Sequence, residues 1–226
     1  MRLLRKAALA TAVAALSIAA APKAADWTRT VSVTADGAHL VGNPQAPVKL
    51  VEFVSYTCSH CAHYAEESDV PLRTRYVAPG KLSVEVRHFV RDPVDLTVAM
   101  LTNCGPVAKF QLNHAAFMRS QSTWMAPISS MTAAQRERWN TGEATARRRA
   151  IAADLKFYQI MQTRGYDRAS VDRCLANEGM ARRLADMTQD GAARGVSGTP
   201  SFQVNGVLLA GTHSWPVLDM QLGLRM

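Results

Sequence analysis

The pattern of apolar and polar positions predicts a strand, a helix and a second strand in the first half of the chain. Val48–Val54 (VKLVEFV) is short, branched and mostly apolar, which is typical of a buried strand. His60–Tyr76 favours helix, with Pro71 as a kink or break. Leu82–Phe89 alternates apolar and polar residues after the turn signal Pro79-Gly80. Together they predict a βαβ unit with a right-handed crossover.

Helical patterns dominate the next hundred residues. Asp92 and Pro93 form an N-cap followed by a first-turn proline, and Thr132 with Gln135 resembles a capping box. Ala150–Met161 spaces its apolar residues along one face of a helix.

Strand character returns close to the C-terminus. Ser201–Val204 and Val207–Leu209 are joined by Asn205-Gly206, a strong hairpin signal, and Ser214–Leu224 predicts a closing helix with Pro216 in its first turn. The pieces that flank the helical region are each too small to form a sheet domain alone. The layout therefore predicts an α/β core that is interrupted by a helical insertion.

The N-terminal segment has the pattern of a secretory signal peptide. Arg2, Arg5 and Lys6 precede an Ala/Leu/Val/Ile stretch that is too short to span a membrane stably and ends among small residues, where cleavage after Ala19 or Ala20 fits. We therefore expect a soluble, exported protein with a signal peptide at 1–20, core at 21–91, helical insertion at 92–194 and core at 195–226.

Composition and charge narrow the choice of function. A chain of 226 residues with 48% hydrophobic residues can bury a sizeable core without disulfides, so its four cysteines need another explanation. The formal charge is +8, and removing three positive charges with the signal peptide leaves +5. Much of the rest lies at Arg147, Arg148, Arg149, Arg182 and Arg183, which we interpret as solvated helix faces. We expect no nucleic-acid partner, because the protein is exported.

Cys58 and Cys61 directly follow the first predicted strand. Zinc would need four converging ligands, but Cys58, His60, Cys61 and His63 crowd one helix start and no second cluster completes a site, so we expect no metal or other cofactor. As a staple, a disulfide over two residues would remove little unfolded-state entropy. A helix N-terminus instead favours a thiolate on Cys58, to which His60 can add a proton charge or a hydrogen bond. An oxidising redox centre explains the placement best.

A second motif, GVSGTPSF at Gly195–Phe202, sets a proline directly before a predicted strand. Only a bond that precedes proline adopts the cis form at low free energy. A cis Thr199-Pro200 bond would expose the backbone of Thr199 beside the cysteines, where an extended substrate can pair with it as an added strand.

Together, Cys58-Ser59-His60-Cys61 after a strand, the Gly-Thr-Pro-Ser-Phe stretch and the helical insertion resemble the DsbA family of periplasmic thiol:disulfide oxidoreductases. The resemblance covers essentially the whole mature chain. It implies an α/β, thioredoxin-like fold with an inserted all-helical domain, the thioredoxin-like domain being 21–91 and 195–226. It also implies that Cys58 is the exposed attacking thiol, Cys61 the buried resolving thiol and Pro200 the cis-proline. The family's usual Pro-His pair is Ser59-His60 here.

The resemblance further implies an exported, periplasmic and monomeric enzyme. It would donate the Cys58-Cys61 disulfide to reduced, unfolded or folding proteins, and a membrane partner of the DsbB type would reoxidise it. A disulfide isomerase or reductase is the nearest alternative, although the fewer than about 30 residues between the expected cleavage site and Val48 leave little room for a dimerisation domain. A non-catalytic metal-binding or peptide-binding protein is a third.

Glu52 lies on the predicted strand six residues before Cys58, where members of that family keep an acidic group beneath the active site. Two interpretations stay open from the residues. The carboxylate is either a strand-edge charge that faces solvent, or a buried group and a candidate proton relay for Cys61.

Cys104 and Cys174 both fall within the predicted insertion. If Cys58 bonds to Cys61, the other two pair with each other or stay free, and an oxidising compartment favours pairing. Such a bridge would close a loop of about 70 residues, worth about 4 kcal/mol in the chain-entropy model. We interpret it as structural, with a second redox pair as the alternative.

Several methionines fit either an adaptable peptide groove or the filling of a core, and we expect the latter. They are Met100, Met118, Met125, Met131 and Met161.

Overall fold

The computed structural model describes residues 27–226, and the predicted signal peptide at 1–20 lies outside them. Strands in this range form one mixed sheet with the order β1-β2-β4-β3-β5-β6. They are β1 (Val31–Val33), β2 (His39–Gly42), β3 (Val48–Val54), β4 (Leu82–His88), β5 (Ser201–Val204) and β6 (Val207–Leu208). The pair β3 and β4 is parallel, and the other neighbouring strands are antiparallel. The predicted βαβ unit and C-terminal hairpin are confirmed.

Helices surround the sheet, and α2 to α9 lie between β4 and β5 in the chain, as the sequence pattern predicts. The α-helices are α1 (Ser59–Pro71), α2 (Pro93–Thr102), α3 (Phe110–Arg119), α4 (Gln121–Met125), α5 (Ala133–Asn140), α6 (Ala144–Asp154), α7 (Phe157–Thr163), α8 (Arg168–Leu175), α9 (Glu178–Ala193) and α10 (Trp215–Gly223). Short 3-10 helices lie at Trp27–Arg29, Val107–Lys109 and Ala126–Ser130. The predicted caps at Asp92 and Thr132 are confirmed.

The predicted break at Pro71 takes the form of a π-helix, Leu72–Val77, that directly follows α1. Proline has no N–H to donate to the carbonyl four residues earlier. After Pro71 the backbone hydrogen bonds join residues that are five apart, as in a π-helix. In one of these, the Ala78 N–H donates to the Arg73 carbonyl at 2.8 Å. Helical backbone therefore continues through the predicted range with a changed hydrogen-bond spacing.

The prediction of one helix over Ala150–Met161 is wrong. α6 ends at Asp154, α7 begins at Phe157, and Lys156 between them has a left-handed φ of 59°. Leu155 and Phe157 are both buried. Side chains two residues apart point to opposite faces of a continuous helix. The break therefore lets both side chains reach the core.

The interpretation of Arg147, Arg148 and Arg149 as a solvated face is partly wrong. Arg148 is buried and pairs with Glu178 at the start of α9. Arg147 is half-buried, and only Arg149 is exposed. Arg148 therefore helps to hold α6 against α9.

The long helix α9 packs on the sheet, although it lies in the predicted insertion at 92–194. A Cβ atom at Gly191 would lie 3.1 Å from Phe89 and 3.2 Å from Phe53, which is closer than most such contacts, so glycine suits this close approach of α9 to the sheet. Asp190 accepts a hydrogen bond from the buried Arg87 at 2.8 Å. The domain boundaries stay a prediction.

A disulfide joins Cys104 to Cys174, with 5.7 Å between their Cα atoms, and so links the end of α2 to α8. Cys58 and Cys61 are both free thiols. Between residues 27 and 226, no helix is both long and apolar enough to cross a lipid bilayer.

Replacing Cys104 and Cys174 by alanine in a Cys58→Ala/Cys61→Ala background should lower the free energy of unfolding by about 2–4 kcal/mol. The reason is that the bridge closes a loop with a sequence separation of 70. Urea titration checks this, with the parent measured with and without reductant as the control. The bridge does not stabilise the fold if the variant has the same urea midpoint as the parent, and the parent has the same midpoint with and without reductant.

Candidate active site

The cysteine pair lies where β3 leads into α1. β3 ends at Val54, and Cys58 is the N-cap residue of α1, with φ −93° and ψ 115°. The Cys61 N–H donates to the Cys58 carbonyl at 3.1 Å, which brings the two residues together in the first turn. Backbone N–H groups of a first turn lack intrahelical acceptors and carry a partial positive charge. This geometry favours a negative charge on the Cys58 sulfur.

The Cys58 sulfur is covered more than the sequence predicts. Cys58 is 4% exposed and Cys61 is 0% exposed. The expectation of an exposed attacking thiol is therefore wrong in degree, although Cys58 is the more accessible of the two. Thr199 lies over the sulfur, since its carbonyl oxygen is 3.1 Å from Cys58 Sγ.

The two thiols have opposite pKa shifts. A hydrogen bond from the Cys61 thiol is the main cause that lowers the pKa of Cys58 to about 5, against the effect of burial. Thr199 and the backbone N–H groups of Cys61 and His60 lower it further. Burial, followed by the hydrogen bond to Cys58 and the charge on it, raises the pKa of Cys61. At neutral pH the reduced pair therefore holds a thiolate at Cys58 and a thiol at Cys61.

Thr199 contacts Cys58 in either protonation state. The Thr199-Pro200 peptide bond is cis. When Cys58 is protonated, its S–H donates to the Thr199 carbonyl. An ionised sulfur only accepts. The Thr199 hydroxyl, which is buried and otherwise unpartnered in the described structure, is then the part of Thr199 that can donate to it, beside the Cys61 thiol and the backbone N–H groups.

His60 acts through its backbone rather than its imidazole. Its N–H reaches the Cys58 sulfur, whereas its side chain is exposed and makes no hydrogen bond or ion pair within the part of the chain that is described. The expectation of a hydrogen bond from the imidazole is therefore not met, because this side chain is exposed to solvent, and a proton charge on it stays a prediction.

Glu52 is buried beneath the pair, at 5% exposure. The Tyr64 hydroxyl donates to Glu52 Oε1. Burial raises the pKa of Glu52 to about 7, and the Tyr64 hydrogen bond opposes this in part. A cavity of about 130 Å³ behind the pair is lined by Glu52, Cys61, Tyr64 and His114 among others. The solvent-facing interpretation of Glu52 is wrong, because β3 is a central strand.

Asp95 and Gln121 hold the backbone that leads into the pair, and neither follows from the sequence pattern. Asp95 accepts hydrogen bonds from the Ser55 hydroxyl at 2.5 Å and the Tyr56 N–H at 2.7 Å. Gln121 Nε2 donates to the carbonyls of Tyr56 at 2.7 Å and Cys58 at 2.9 Å. Asp95 gives a weak signal as an acid in the first turn of a predicted helix. Gln121 gives none, since its partners lie more than 60 residues away.

The arrangement supports thiol chemistry. A thiolate beside a second thiol can form an intramolecular disulfide and exchange it with a third sulfur. Among residues 27–226, no group of three or more His, Cys, Asp or Glu side chains is placed to hold a metal ion.

Comparison with known sequences gives a family. Residues 34–223 match the family described as thioredoxin. Two similar proteins are provisionally named protein-disulfide oxidoreductases. The one from Rickettsia bellii is 26% identical over 170 residues, or 74% of this chain. The one from Rickettsia conorii is 29% identical over 174 residues, or 76% of this chain. The chain spans little more than half the length of these relatives, 57% and 54%.

Comparison with solved structures agrees. The protein-disulfide isomerase from Novosphingobium aromaticivorans has a TM-score of 0.82 and 53% identity, and the match covers 85% of this chain and 98% of that one. Alpha-DsbA1 from Wolbachia pipientis has a TM-score of 0.67 and 18% identity over 85% of this chain and 92% of that one, a likeness of fold alone. The thioredoxin-like fold expected from the sequence is confirmed. By the extent of these matches, the chain belongs to the thioredoxin family.

Proposed function

We propose that this protein is a thiol:disulfide oxidoreductase that donates a Cys58-Cys61 disulfide to reduced, unfolded or folding proteins. The observation that carries the proposal is the opposed pair at the start of α1, a thiolate at Cys58 and a thiol at Cys61. Whatever stabilises the thiolate stabilises the reduced form relative to the disulfide.

The lowered pKa of Cys58 favours transfer of the disulfide to the client. Lowering the pKa of Cys58 from 9.0 to about 5 favours the reduced form about 100-fold at pH 7. That factor is equivalent to about 3 kcal/mol, or about 60 mV of two-electron potential. The oxidised protein is therefore expected to give up its disulfide readily.

The covalent steps involve only sulfur atoms, and the departing Cys61 needs one proton. A substrate thiolate attacks Cys58 Sγ of the disulfide, the bond to Cys61 breaks, and Cys61 leaves with the electron pair and takes up a proton. A second substrate thiolate then attacks the substrate sulfur of the mixed disulfide and releases Cys58 as a thiolate. The substrate loses two electrons, which the cysteine pair gains.

Glu52 is proposed as the source of the proton for Cys61. Its raised pKa leaves it partly protonated near neutral pH, and it lines the same cavity as Cys61. The Thr199 backbone and Pro200 are proposed to bind the extended substrate beside Cys58. Cys104 and Cys174 are proposed to have a structural role only.

Export to the periplasm, a monomeric state and reoxidation by a membrane partner of the DsbB type complete the proposal. The N-terminal sequence pattern and the family resemblance support them. Disulfide isomerisation is the second candidate, and the 53% identity to a protein named as an isomerase favours it. An isomerase would act from the reduced state, with the Cys58 thiolate attacking a substrate disulfide.

Mixing the oxidised protein with a reduced, unfolded client should consume two client thiols per protein, because only one disulfide is transferred. Thiol titration of the client after quenching measures this. Cys58→Ser should abolish the transfer, and Cys104→Ala/Cys174→Ala, which also removes two cysteines, should keep it. Transfer by Cys58→Ser would refute the proposal. An isomerase would be favoured if the reduced protein restores the native disulfides of a scrambled client faster than the client recovers alone.

Glu52→Gln should stabilise the protein in a pH-dependent way. The pKa of Glu52 is about 7 in the fold against 4.5 ordinarily, so its ionised form opposes folding. The opposition is absent below pH 4.5, grows between pH 4.5 and 7, and is complete above pH 7. Urea midpoints at pH 4, 6 and 8 should therefore show a gain that increases with pH, unlike those of the exposed control Glu66→Gln. A gain that does not vary with pH would contradict the burial of an ionisable Glu52.

A further inference from the structure

We propose that a groove leading away from Cys58 binds an extended client segment that carries an apolar and an acidic side chain near its reacting cysteine. The groove lies between the connection from β4 to α2 and the helices α4 to α6. This inference rests on the proposed function, since it names the class of segment that the same site prefers.

Two joined concavities, of about 290 and 280 Å³, form the groove. Thr57, the residue before Cys58, is part of the lining of the first. Arg91 and Pro93 line both concavities on one side, and Trp139 lines both on the other. The shared lining makes one groove, which leads from the residue next to Cys58 into the helical region.

The first concavity is mainly apolar. Met125 and Ile128 line it and are half-buried, with Trp139 beside them. The Trp139 indole N–H already donates to Asp154 at 2.9 Å, so the ring offers the groove an apolar surface in a fixed position. Met125, the flexible side chain here, suits apolar side chains of different shape.

The methionines divide accordingly. Met100, Met118, Met131 and Met161 are buried, as the prediction of core filling requires. Met125 departs from it and lines the groove.

The second concavity has two uncommitted positive charges. Arg91 is exposed and Arg147 is half-buried, and neither pairs with a carboxylate of residues 27–226. The Arg147 guanidinium donates only to the Asn140 carbonyl, at 3.4 Å. Arg148, which lines the same concavity, already pairs with Glu178.

Asp92 is the acidic residue that lines the groove, and both of its oxygens are engaged. One accepts from the Thr57 hydroxyl at 2.6 Å, and the other caps α2 by accepting from the Asp95 N–H at 2.8 Å. Two unpaired arginines beside a committed carboxylate attract a further anion, and the adjoining apolar surface suits a polypeptide. A client carboxylate therefore complements this end of the groove.

The test uses single-cysteine peptides with an apolar residue beside the cysteine and Glu, Gln or Lys at two to five residues on either side. Their rates of attack on the oxidised protein are divided by their rates with the disulfide of 2-mercaptoethanol, an uncharged reference that removes differences in intrinsic thiol reactivity. We expect the Glu peptide to react about three to ten times faster than the Gln peptide at its best spacing, and the Lys peptide more slowly. High salt should reduce the preference.

Arg91→Gln/Arg147→Gln should remove the preference for Glu while leaving unchanged the rate with 2-mercaptoethanol, an uncharged thiol. The control Arg29→Gln/Arg225→Gln loses the same net charge from exposed positions outside the groove and should keep it. Equal normalised rates for the three peptides in the wild type, or a preference that survives Arg91→Gln/Arg147→Gln, would overturn the inference.

Two further outcomes separate the possibilities. If the wild type does not exchange even with glutathione, the proposed function fails and the inference falls with it. If Arg91→Gln/Arg147→Gln changes the monomer–dimer equilibrium in sedimentation but not the peptide rates, the groove is an interface with a second copy and the inference is overturned.

Discussion

The negative charge on the Cys58 sulfur is the feature on which the rest of the site depends. It is held by the Cys61 thiol and by backbone N–H groups at the start of α1, with Thr199 on the opposite side. All of these groups are fixed by the fold, since Cys58 caps the helix that follows the central strand β3. The same geometry keeps Cys61 protonated, because a buried sulfur next to a thiolate does not ionise readily.

Buried polar groups position this sulfur and also oppose the stability of the fold. Burial raises the pKa of both Glu52 and Asp95 to about 7. The free-energy cost of burying Asp95 is offset by the hydrogen bonds that it accepts from Ser55 and Tyr56, and these bonds fix the segment before Cys58. Glu52 has the Tyr64 hydroxyl as its partner and lines a cavity that Cys61 also lines. Two acids with similar pKa values therefore differ in their surroundings: Asp95 fixes the segment before Cys58, and Glu52 is the one that we propose for proton transfer.

Local patterns predict much of the fold and the reacting atoms. The strand before Cys58, the first turn that follows it and the proline before β5 are all encoded by residues adjacent in sequence. Contacts over long distances in the chain are not predictable in this way. They include the hydrogen bonds from Gln121 to the carbonyls of Tyr56 and Cys58, and the placement of Trp139 beside Thr57 in one groove.

The prediction of His60 as a side-chain partner of the thiolate also shows that a sequence pattern does not predict contacts that depend on tertiary structure. Spacing places His60 in the correct turn, but the direction of a side chain depends on helix geometry and on what packs nearby. The residue that lies beside the Cys58 sulfur is instead Thr199, which is 141 residues from Cys58 in sequence. The covering of Cys58 to 4% exposure has the same origin.

Titration of the Cys58 thiolate in the reduced protein is the most direct measurement of the central claim. Ultraviolet absorbance of the thiolate against pH should give a midpoint near pH 5, and Cys58→Ser should lose this transition. A midpoint near 9, the ordinary value for a cysteine thiol, would contradict the claim that the fold holds a sulfur anion at this position.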